Sequence, residues 1–235
     1  MARGSTRARV PIAVDWALVV ANFPLLLRGT LTTIELALAS FLAGTALGFG
    51  IATGRALGGR DASLALGFFV DVVRGSPLLV QLLVIYLGAS AIGLSLGPFA
   101  AAVLGLSINA GAYLSEIFRG GIRSVAHGQS EAGLAVGLTQ AQTLREVVLP
   151  QALPVIVPAM MGFFIGLLKD TSLAYVLGLL ELTRMGKNVM DRTFQPFEIS
   201  LTVAAIYFVL CFPLAQLVRV VDARMRARGL AQAHV

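Results

Sequence analysis

Long apolar runs separated by short charged intervals dominate this chain of 235 residues. A helix needs about 20 apolar residues to cross the hydrocarbon core of a membrane, so such runs predict membrane-spanning helices. The charges leave five of them, at residues 29–54, 63–87, 99–118, 155–177 and 199–218. No charged residue lies between Gly75 and Ser115, and one helix of that length would measure about 60 Å, twice the core thickness. We therefore predict a turn at 88–98, where glycines and a proline collect.

The amino-terminal segment, residues 1–28, is predicted to hold a tail and an interfacial helix. Three arginines precede the apolar stretch 16–27, an order that signal peptides share. However, Asp15 stands at the start of the stretch, Asn22 and Pro24 interrupt it, and no clear small-x-small cleavage site follows. We favour an interfacial helix that leads into the first span, with a signal peptide as the alternative.

Composition excludes an ordinary soluble domain. Hydrophobic residues make up 57% of the chain and charged residues 13%, against roughly 45–50% and about 25% in soluble domains. A single cysteine, Cys211, excludes a disulfide framework, and two histidines are too few for a histidine-built metal site. The net charge of +6 suits loops that face anionic lipid rather than a nucleic-acid surface.

The charge distribution gives only a weak orientation. Alternate crossings place nine basic residues on the side of segment 119–150 and seven on the other side. This bias favours a cytoplasmic carboxyl terminus and an external amino terminus, although the arginines of the amino-terminal tail argue against it. The predicted organisation is therefore a tail with an interfacial helix (1–28), a transmembrane domain (29–221) and a cytoplasmic tail (222–235).

The longest polar interval, residues 119–150, is predicted to form two short helices. Ser130 is placed to cap the first helix, and Gly137 can end it in a left-handed turn. Thr139 and Gln142 have the spacing of a capping box that starts the second helix. These local signals predict a compact helix–glycine–helix unit outside the apolar spans.

The second short helix carries an apolar stripe. Leu144, Val147 and Val148 fall at i, i+3 and i+4, and Pro150 is expected to stop the helix. A capped helix with an apolar ridge and a charged flank suits docking into a groove of another protein. The alternative is a solvated connection that lies against the spans of the same chain, and the pattern alone leaves both open.

The residues of this interval resemble a known motif. It is the EAA loop of the membrane subunits of ABC importers, and the matching residues are Glu131, Ala132, Gly133, Gly137, Val147, Leu149 and Pro150. The one departure is Gly133, where the family usually has alanine. The resemblance implies that 119–150 is a cytoplasmic coupling helix held in a cleft of the ATP-binding subunit.

Further motifs lie along the chain: Arg74-Gly75-Ser76-Pro77-Leu78 with Gln81, Ala112-Tyr113 with 115–122, Gly128-Gln129, Lys169-Asp170-Thr171-Ser172-Leu173, and Gly29-Thr30-Leu31-Thr32-Thr33. They resemble motifs of polar amino-acid permeases of the histidine, glutamine and arginine type. The resemblance implies an all-α, type I ABC importer (MetI-like) fold with about five transmembrane helices. It also implies a bacterial inner membrane location, with the amino terminus outside and the carboxyl terminus in the cytoplasm.

The same resemblance implies a function and a set of partners. The chain is expected to translocate polar amino acids as a permease subunit, paired with an identical or related permease, a dimer of ATP-binding subunits and an external amino-acid-binding protein. ATP and Mg²⁺ are expected on the separate ATPase, because this chain has no Gly-x-x-x-x-Gly-Lys-Ser/Thr sequence and no convergent catalytic cluster. The alternative is a self-sufficient secondary transporter or channel, although no internal repeat of the kind common in such carriers is visible.

Polar residues inside apolar spans are candidate functional groups, because burying them in lipid is costly. Asp71 and Arg74 lie at i, i+3 and are expected to pair. Asn109 and Tyr113 share one helix face, where lining the substrate path and bonding to another helix are equally open. Glu116 is expected to be paired or close to a membrane interface.

The fourth span ends in a polar group. Lys169 and Asp170 are adjacent and point about 100° apart on a helix, so they need separate partners. Asp170, Thr171 and Ser172 either line the substrate path, with the acid facing an α-amino group, or form a structural hinge. The glycine pairs at 44/48 and 162/166 have the spacing of helix-packing motifs.

Overall fold

The structure is a computed structural model that describes the backbone of residues 16–232 and the side chains of residues 16–225. The predictions for residues 1–15 and for the side chains beyond residue 225 lie outside this part. The helices are α1 (Trp16–Leu57), α2 (Arg60–Gly75), α3 (Leu78–Ala91), α4 (Pro98–Ser124), α5 (His127–Ala135), α6 (Gln140–Gln142), α7 (Leu149–Asp170), α8 (Leu182–Thr193) and α9 (Pro196–Gln232). A π-helical turn (Thr143–Val148) precedes α7, and a 3-10 helix (Thr171–Leu177) follows it.

Four helical stretches are long and apolar enough to cross a membrane: α1, α4, Gln140–Leu177 and Pro196–Met225. The pair α2 and α3 makes a fifth crossing if it is counted as one bent span. The expectation of an all-α chain with about five spans is therefore confirmed. The turn expected at 88–98 also lies where α3 ends and α4 begins.

The centre of the fold is a parallel pair of helices, α1 and α4, which meet along small residues. A Cβ atom built on Gly44 would lie 2.6 Å from the Cβ of Ala110, and one on Gly48 would lie 2.8 Å from the carbonyl oxygen of Gly111. Both contacts advance in the same chain direction, so the two carboxyl-terminal ends lie on the same side of the membrane. Glycine lets the backbones approach this closely, which is how helices gain packing energy inside lipid.

The second glycine pair does not pack inside the chain. A Cβ on Gly162 or Gly166 of α7 would meet no atom within 4 Å in the described part of the structure. Of the two predicted packing pairs, Gly44 and Gly48 therefore pack against another helix within the described part of the chain, and Gly162 and Gly166 do not.

The second predicted span, 63–87, is wrong as a single helix. The chain bends by 105° between α2 and α3, and Ser76 takes an extended conformation with φ −111° and ψ 148°. Pro77 causes this, because its ring disfavours helical geometry in the residue before it. Since α1 and α4 run parallel, this bent pair must return the chain across the membrane between them.

No helix end separates the expected interfacial helix from the first span at residue 28, because α1 continues from Trp16 through Pro24 to Leu57. Leu26 is fully buried. A Cβ on Gly29 would lie 2.9 Å from the Cα of Leu182 in α8. Packing on both sides of the expected break therefore favours one continuous helix.

The last helix is longer than its predicted span, 199–218. It starts at Pro196 and continues to Gln232, so the predicted tail 222–235 is a continuation of the helix as far as residue 232. Residues 214–228 contain neither glycine nor proline, and the chain therefore has no local reason to leave the helix there.

Candidate coupling loop and translocation path

Helix α5 presents the first two EAA residues, Glu131 and Ala132, on an exposed surface, which we call the EAA face. It begins at His127, with Ala126 at the cap position and no side-chain cap bond, so the predicted capping role of Ser130 is wrong. Glu131 and Ala132 are exposed. The carboxylate of Glu131 lies 3.2 Å from Nδ1 of His127, and both side chains are mostly exposed to solvent. Nothing in the described part of the chain covers this face of α5.

Gly133 is the one EAA residue that is buried. A Cβ atom built on it would lie 2.8 Å from Cγ2 and 3.0 Å from Oγ1 of Thr143, in the π-helical turn. Alanine at this position would therefore collide with the threonine. The departure from the usual family residue is explained by this contact, which brings α5 against the segment that follows it.

The end of α5 follows the predicted turn chemistry. Gly137 has φ 89°, the left-handed conformation that glycine adopts without a steric cost. The amide of Leu138 donates to the carbonyl of Gly133 at 3.1 Å, and the amide of Gly137 donates to that of Leu134 at 3.0 Å. These two bonds form a Schellman motif, which satisfies carbonyls that the helix end would leave unpaired.

The predicted capping box at the start of α6 is confirmed. The backbone amide of Gln142 donates to Oγ1 of Thr139 at 3.3 Å, and the amide of Thr139 donates to Oε1 of Gln142 at 2.9 Å. Thr139 is exposed, and both bonds of the box join residues three positions apart, so the start of the helix is fixed locally.

The prediction that Pro150 stops the second short helix is wrong. Leu149 and Pro150 are the first two residues of α7, and the π-helical turn joins α6 to it without a break. Proline is tolerated in the first turn of a helix, and the wide turn before it accommodates its missing N–H group. Val148 is buried, and together with Leu144 it lines a cavity of about 350 Å³ between this segment, α5 and the ends of α1 and α4.

A hydrogen-bonded pair of amides supports the bend between α2 and α3. Nε2 of Gln81 donates to the carbonyls of Val73 at 2.6 Å and Ser76 at 3.1 Å, which the bend leaves without helical partners. Oε1 of Gln81 accepts from Nδ2 of Asn109 at 3.0 Å, and Asn109 is buried. The structure therefore gives Asn109 the inter-helix bond, and it leaves Tyr113 as the accessible residue of that face.

Tyr113 lies between an aromatic ring and a guanidinium group. Its ring stacks on Phe163 of α7 with centroids 5.8 Å apart, and the guanidinium of Arg74 lies 5.1 Å from its centroid. Arg74 also approaches Glu116 at 3.9 Å. Among the described residues it makes no ion pair with Asp71, so the expected Asp71–Arg74 pair is wrong, whereas Glu116 is paired as expected.

The four polar residues at the end of α7, 169–172, differ in their exposure to solvent. Thr171 is fully buried, and its hydroxyl donates to the carbonyl of Leu168 at 2.7 Å. Asp170 and Ser172 are partly exposed and Lys169 is exposed. Phe163 and Asp170 are seven residues apart, so they share one face of α7 about two turns, or roughly 10 Å, apart. Asp170 is therefore on the same helix face as the ring that Tyr113 stacks on.

A buried polar network that the sequence did not indicate joins α8 to its neighbours. Glu181 is fully buried at the amino-terminal cap of α8, where its oxygens accept from the amides of Thr183 at 2.8 Å and Arg184 at 2.7 Å. Tyr207 of α9 bonds the hydroxyl of Thr183 at 3.2 Å, and Thr33 of α1 accepts from the amide of Leu182 at 3.1 Å. The only local signal was an acidic residue directly before a polar helix.

Burial raises the pKa of the Glu181 carboxyl above its usual 4.5, and the backbone bonds from Thr183 and Arg184 oppose that rise. Within the described residues no group of three histidine, cysteine or acidic side chains is close enough to hold a metal ion.

Comparison with known families matches this architecture. A family model described as the inner membrane component of binding-protein-dependent transport systems matches residues 44–227. The chain belongs to this family.

Individual relatives within the family are amino-acid permeases. The chain is 40% identical to the L-cystine transport system permease protein TcyB of Bacillus subtilis (strain 168), over 91% of this chain and 92% of that protein. It is 36% identical to the glutamine transport system permease protein GlnP of Escherichia coli (strain K12), over 90% of this chain and 98% of that protein. The amino-acid permease resemblance seen in the motifs is confirmed.

Solved structures agree with the family assignment. The crystal structure of an amino acid ABC transporter with histidines matches with a TM-score of 0.85 and 36% identity, over 91% of this chain and 100% of that chain. The inward-facing MetNI methionine ABC transporter matches with a TM-score of 0.73 over 86% of this chain and 96% of that chain, and at 23% identity it shows the fold alone. The predicted MetI-like fold of a type I importer permease is confirmed, and the chain is a multi-pass inner-membrane permease.

Proposed function

We propose that this permease carries polar amino acids across the bacterial inner membrane, driven by a separate pair of ATP-binding subunits that bind its coupling loop, residues 119–150. ATP and Mg²⁺ are held by those subunits, and an external binding protein delivers the amino acid. The observation that carries the proposal is the exposed EAA face of α5, which packs through Gly133 on the π-helical turn before α7. In this arrangement the amino terminus is outside and the carboxyl terminus is in the cytoplasm.

The coupling loop has the properties of a mechanical lever. A Schellman motif ends α5, a capping box begins α6, and a continuous helical path leads from α6 through the π-helical turn into α7. Gly133 locks α5 against Thr143 in that path. A push on α5 is therefore transmitted to α7 through packed contacts instead of being absorbed by a loose loop. Glu131 supplies a charged contact for the ATP-binding subunit.

The amino-acid substrate is supported by the relatives and by the chemistry along α7. Curated relatives include permeases named for L-cystine, glutamine and arginine transport. Arg74 above Tyr113 offers a positive group suited to an α-carboxylate, and Asp170 offers a negative group suited to an α-amino group. Asp170 lies about two helical turns along α7 from Phe163, the ring beside Tyr113, which is too far for the α-amino and α-carboxylate groups of one bound amino acid. We therefore assign Arg74 and Asp170 to successive contacts on one path.

A second permease subunit, identical or paralogous, completes the path. Gly162 and Gly166 leave one face of α7 open in the described part of the chain, and glycine pairs at this spacing allow close approach of another helix in lipid. Disulfide formation between copies bearing Gly162→Cys, in a Cys211→Ser background, tests this contact. Disulfide formation at Phe68→Cys, an exposed position on α2, measures random collision.

Transport in proteoliposomes tests the function itself. The complex purified with its ATP-binding subunits and binding protein should take up glutamine, cystine or arginine only when ATP is supplied. Uptake driven by an ion gradient through the permease alone would instead establish a secondary transporter.

The role of the loop is tested by a charge reversal. Glu131→Lys should reduce ATPase co-purification and ATP-driven uptake roughly tenfold, the scale of one lost charge-assisted contact, while the permease keeps its thermal midpoint. Gly137→Val should act in the same direction, because a β-branched residue resists the φ of 89° found there. The control is Asp61→Lys, the same charge reversal at an exposed residue of α2. Equal association of wild type and both loop variants would remove the coupling assignment.

The path assignment is tested separately. Asp170→Asn should raise the KM for uptake at unchanged expression and unchanged ATPase association. Asp191→Asn, an exposed residue of α8, is the matched control. Wild-type uptake kinetics for Asp170→Asn would return this residue to a structural role at the start of the 3-10 helix.

A further inference from the structure

A basic pocket lies where α1 and α4 end, on the membrane side that carries the coupling loop. It has a volume of about 150 Å³, and its polar lining comes from Arg55 of α1, Ser63 of α2, and Arg119 and Arg123 of α4. Because α1 and α4 run parallel and span the membrane, their carboxyl-terminal ends place these arginines at one membrane interface. Neither the Tyr113–Phe163 stack nor α5 contributes to the lining, and Arg74 lies beside the pocket, where it approaches the Glu116 carboxylate that also holds Arg55 and Arg119.

Two of the arginines are held in place by one carboxylate. Nη1 of Arg55 donates to Oε1 of Glu116 at 2.7 Å, and Nε of Arg119 donates to its two oxygens at 3.0 Å and 3.1 Å. The Arg55 guanidinium also packs on α2, since a Cβ on Gly67 would lie 3.3 Å from its Nη2. Such anchoring leaves guanidinium N–H groups free to donate without a further loss of side-chain freedom.

The local charge is positive. Arg55, Arg74 and Arg119 share the single charge of Glu116, and the carboxylate of Asp71 also acts on Arg119. Arg123 makes no ion pair with any carboxylate among the described residues. Four arginines therefore face two acids, and this excess outweighs the partial negative charge at the ends of α1 and α4.

The chemistry of this lining matches one group. Guanidinium forks bind phosphate oxygens through paired, charge-assisted hydrogen bonds, and a serine hydroxyl adds a neutral donor. The cavity has room for more than one water molecule, which suits a tetrahedral oxyanion. We propose that Arg55, Ser63, Arg119 and Arg123 form a phosphate-binding site at the inner end of α1 and α4.

Two sources can supply the phosphate. A membrane presents the phosphodiester of anionic lipids such as phosphatidylglycerol at the depth where the helices end, and basic residues there attract it. The aqueous phase supplies soluble phosphate to the same pocket. The two sources differ in whether binding needs a lipid, so they are separated by two arms of one experiment.

The experiment uses the full permease and two variants of equal charge. Arg123→Gln removes the unpaired guanidinium and leaves the Glu116 ion pairs intact. Arg192→Gln removes the same charge from an exposed position on α8, far along the chain from the pocket. In the lipid arm, delipidated protein is exchanged into nanodiscs of phosphatidylcholine with phosphatidylglycerol, and lipid retained after re-extraction is counted by native mass spectrometry. In the soluble arm, the thermal midpoint is followed in detergent as inorganic phosphate is added.

A lipid site predicts that wild type and Arg192→Gln retain phosphatidylglycerol, whereas Arg123→Gln loses roughly tenfold in retention, as expected for one lost charge-assisted contact. A soluble site predicts a phosphate-dependent rise in the thermal midpoint that Arg123→Gln alone abolishes. Arg123→Lys keeps the charge without the fork and should give an intermediate loss, which provides the second variant if Arg123→Gln does not fold. Equal lipid retention by all proteins, with no phosphate-dependent shift in any, overturns the proposal.

Discussion

The α1–α4 pair and the coupling loop represent two different ways of fixing a helix. Along α1 and α4, glycines remove side chains so that two long helices touch backbone to backbone. In the coupling loop, short helices are fixed by caps and turns, and the EAA face stays exposed. The first region depends on contacts distant in sequence, and the second mostly on residues within a few positions of each other. The comparison teaches that a lever can be stiff while one face remains uncovered, because its rigidity comes from caps, turns and the packing of Gly133 on Thr143 within the loop itself.

The largest effect is expected in the parallel pair. Gly48→Leu places a Cβ 2.8 Å from the carbonyl oxygen of Gly111, so α1 and α4 must separate. Overpacking of this kind costs about 1–3 kcal/mol or more, and we expect little folded protein after detergent extraction. Gly50→Leu is the control, since a side chain there meets no atom within 4 Å in the described structure. Equal thermal midpoints for the two variants would contradict the close approach.

A smaller loss is expected at the bend between α2 and α3, where core packing and local backbone chemistry meet. Gln81→Leu removes the amide donor to the carbonyls of Val73 and Ser76, although the Ser76 hydroxyl still lies 3.3 Å from the Val73 carbonyl, and it leaves Asn109 without its acceptor. Unpaired buried polar groups make this change cost about 2 kcal/mol in the free energy of unfolding. The double variant with Asn109→Leu should cost less than the sum of the single changes, because both remove one shared bond. Strict additivity would show that the amides act independently.

In the coupling loop the expected effect is local. Gly133→Val forces the new side chain against Thr143 and should speed hydrogen exchange of α5 amides by roughly fivefold, equivalent to about 1 kcal/mol. Thr143→Ala in the same chain should restore protection, because it removes the methyl and hydroxyl groups that collide. Gly128→Val lies in the same helix where a Cβ meets nothing within 4 Å in the described structure. If Gly128→Val accelerates exchange as much, the contact with Thr143 is not the cause.

The smallest effect is a dependence on pH, and it contrasts two helix caps. Thr139 caps α6 with a group that does not titrate, whereas Glu181 caps α8 with a buried carboxyl whose pKa is raised above 4.5 by burial. The folded state therefore holds this proton more tightly than the unfolded chain does. The Glu181 carboxyl therefore adds to the free energy of unfolding below pH 4.5, and this contribution is lost as the pH rises through the pKa of the folded state. Glu181→Gln should flatten the fall of the thermal midpoint over that window, and an unchanged slope would assign it to other groups.

The sequence predicted best what is decided locally. The turn at Gly137 and the capping box at Thr139 were correct because positive φ and side-chain capping depend on a few adjacent residues. The apolar runs correctly located α4 and most of α9, because charged side chains are costly inside lipid and therefore mark the ends of spans. Pro150 failed as a stop signal, since the π-helical turn allows proline to begin α7 rather than to end α6.

Features that depend on distant contacts could not be predicted. An apolar run shows that a segment is suited to the membrane but not how its helix axis is directed. The run 63–87 therefore gave no sign of a 105° bend apart from Pro77. Arg74 was expected to pair with the nearest acid on its own helix, but Tyr113 and Glu116 of α4 are its contacts. The buried position of Glu181 arises from packing of α8 against Thr33 and Tyr207, residues far away in the chain.

The parallel pairing of α1 with α4 also has a consequence for biosynthesis. Gly48 leaves the ribosome 67 positions before Ser115, beside which it packs, and at ordinary translation speeds that interval lasts roughly 3 to 13 s. During that time the surface of α1 around Gly44 and Gly48 lies in the membrane without α4, and only the nascent α2 and α3 follow it. The insertion machinery must therefore shield the unpaired surface of α1 until α4 is synthesised. Slower translation between these two helices would lengthen the time for which this surface is exposed.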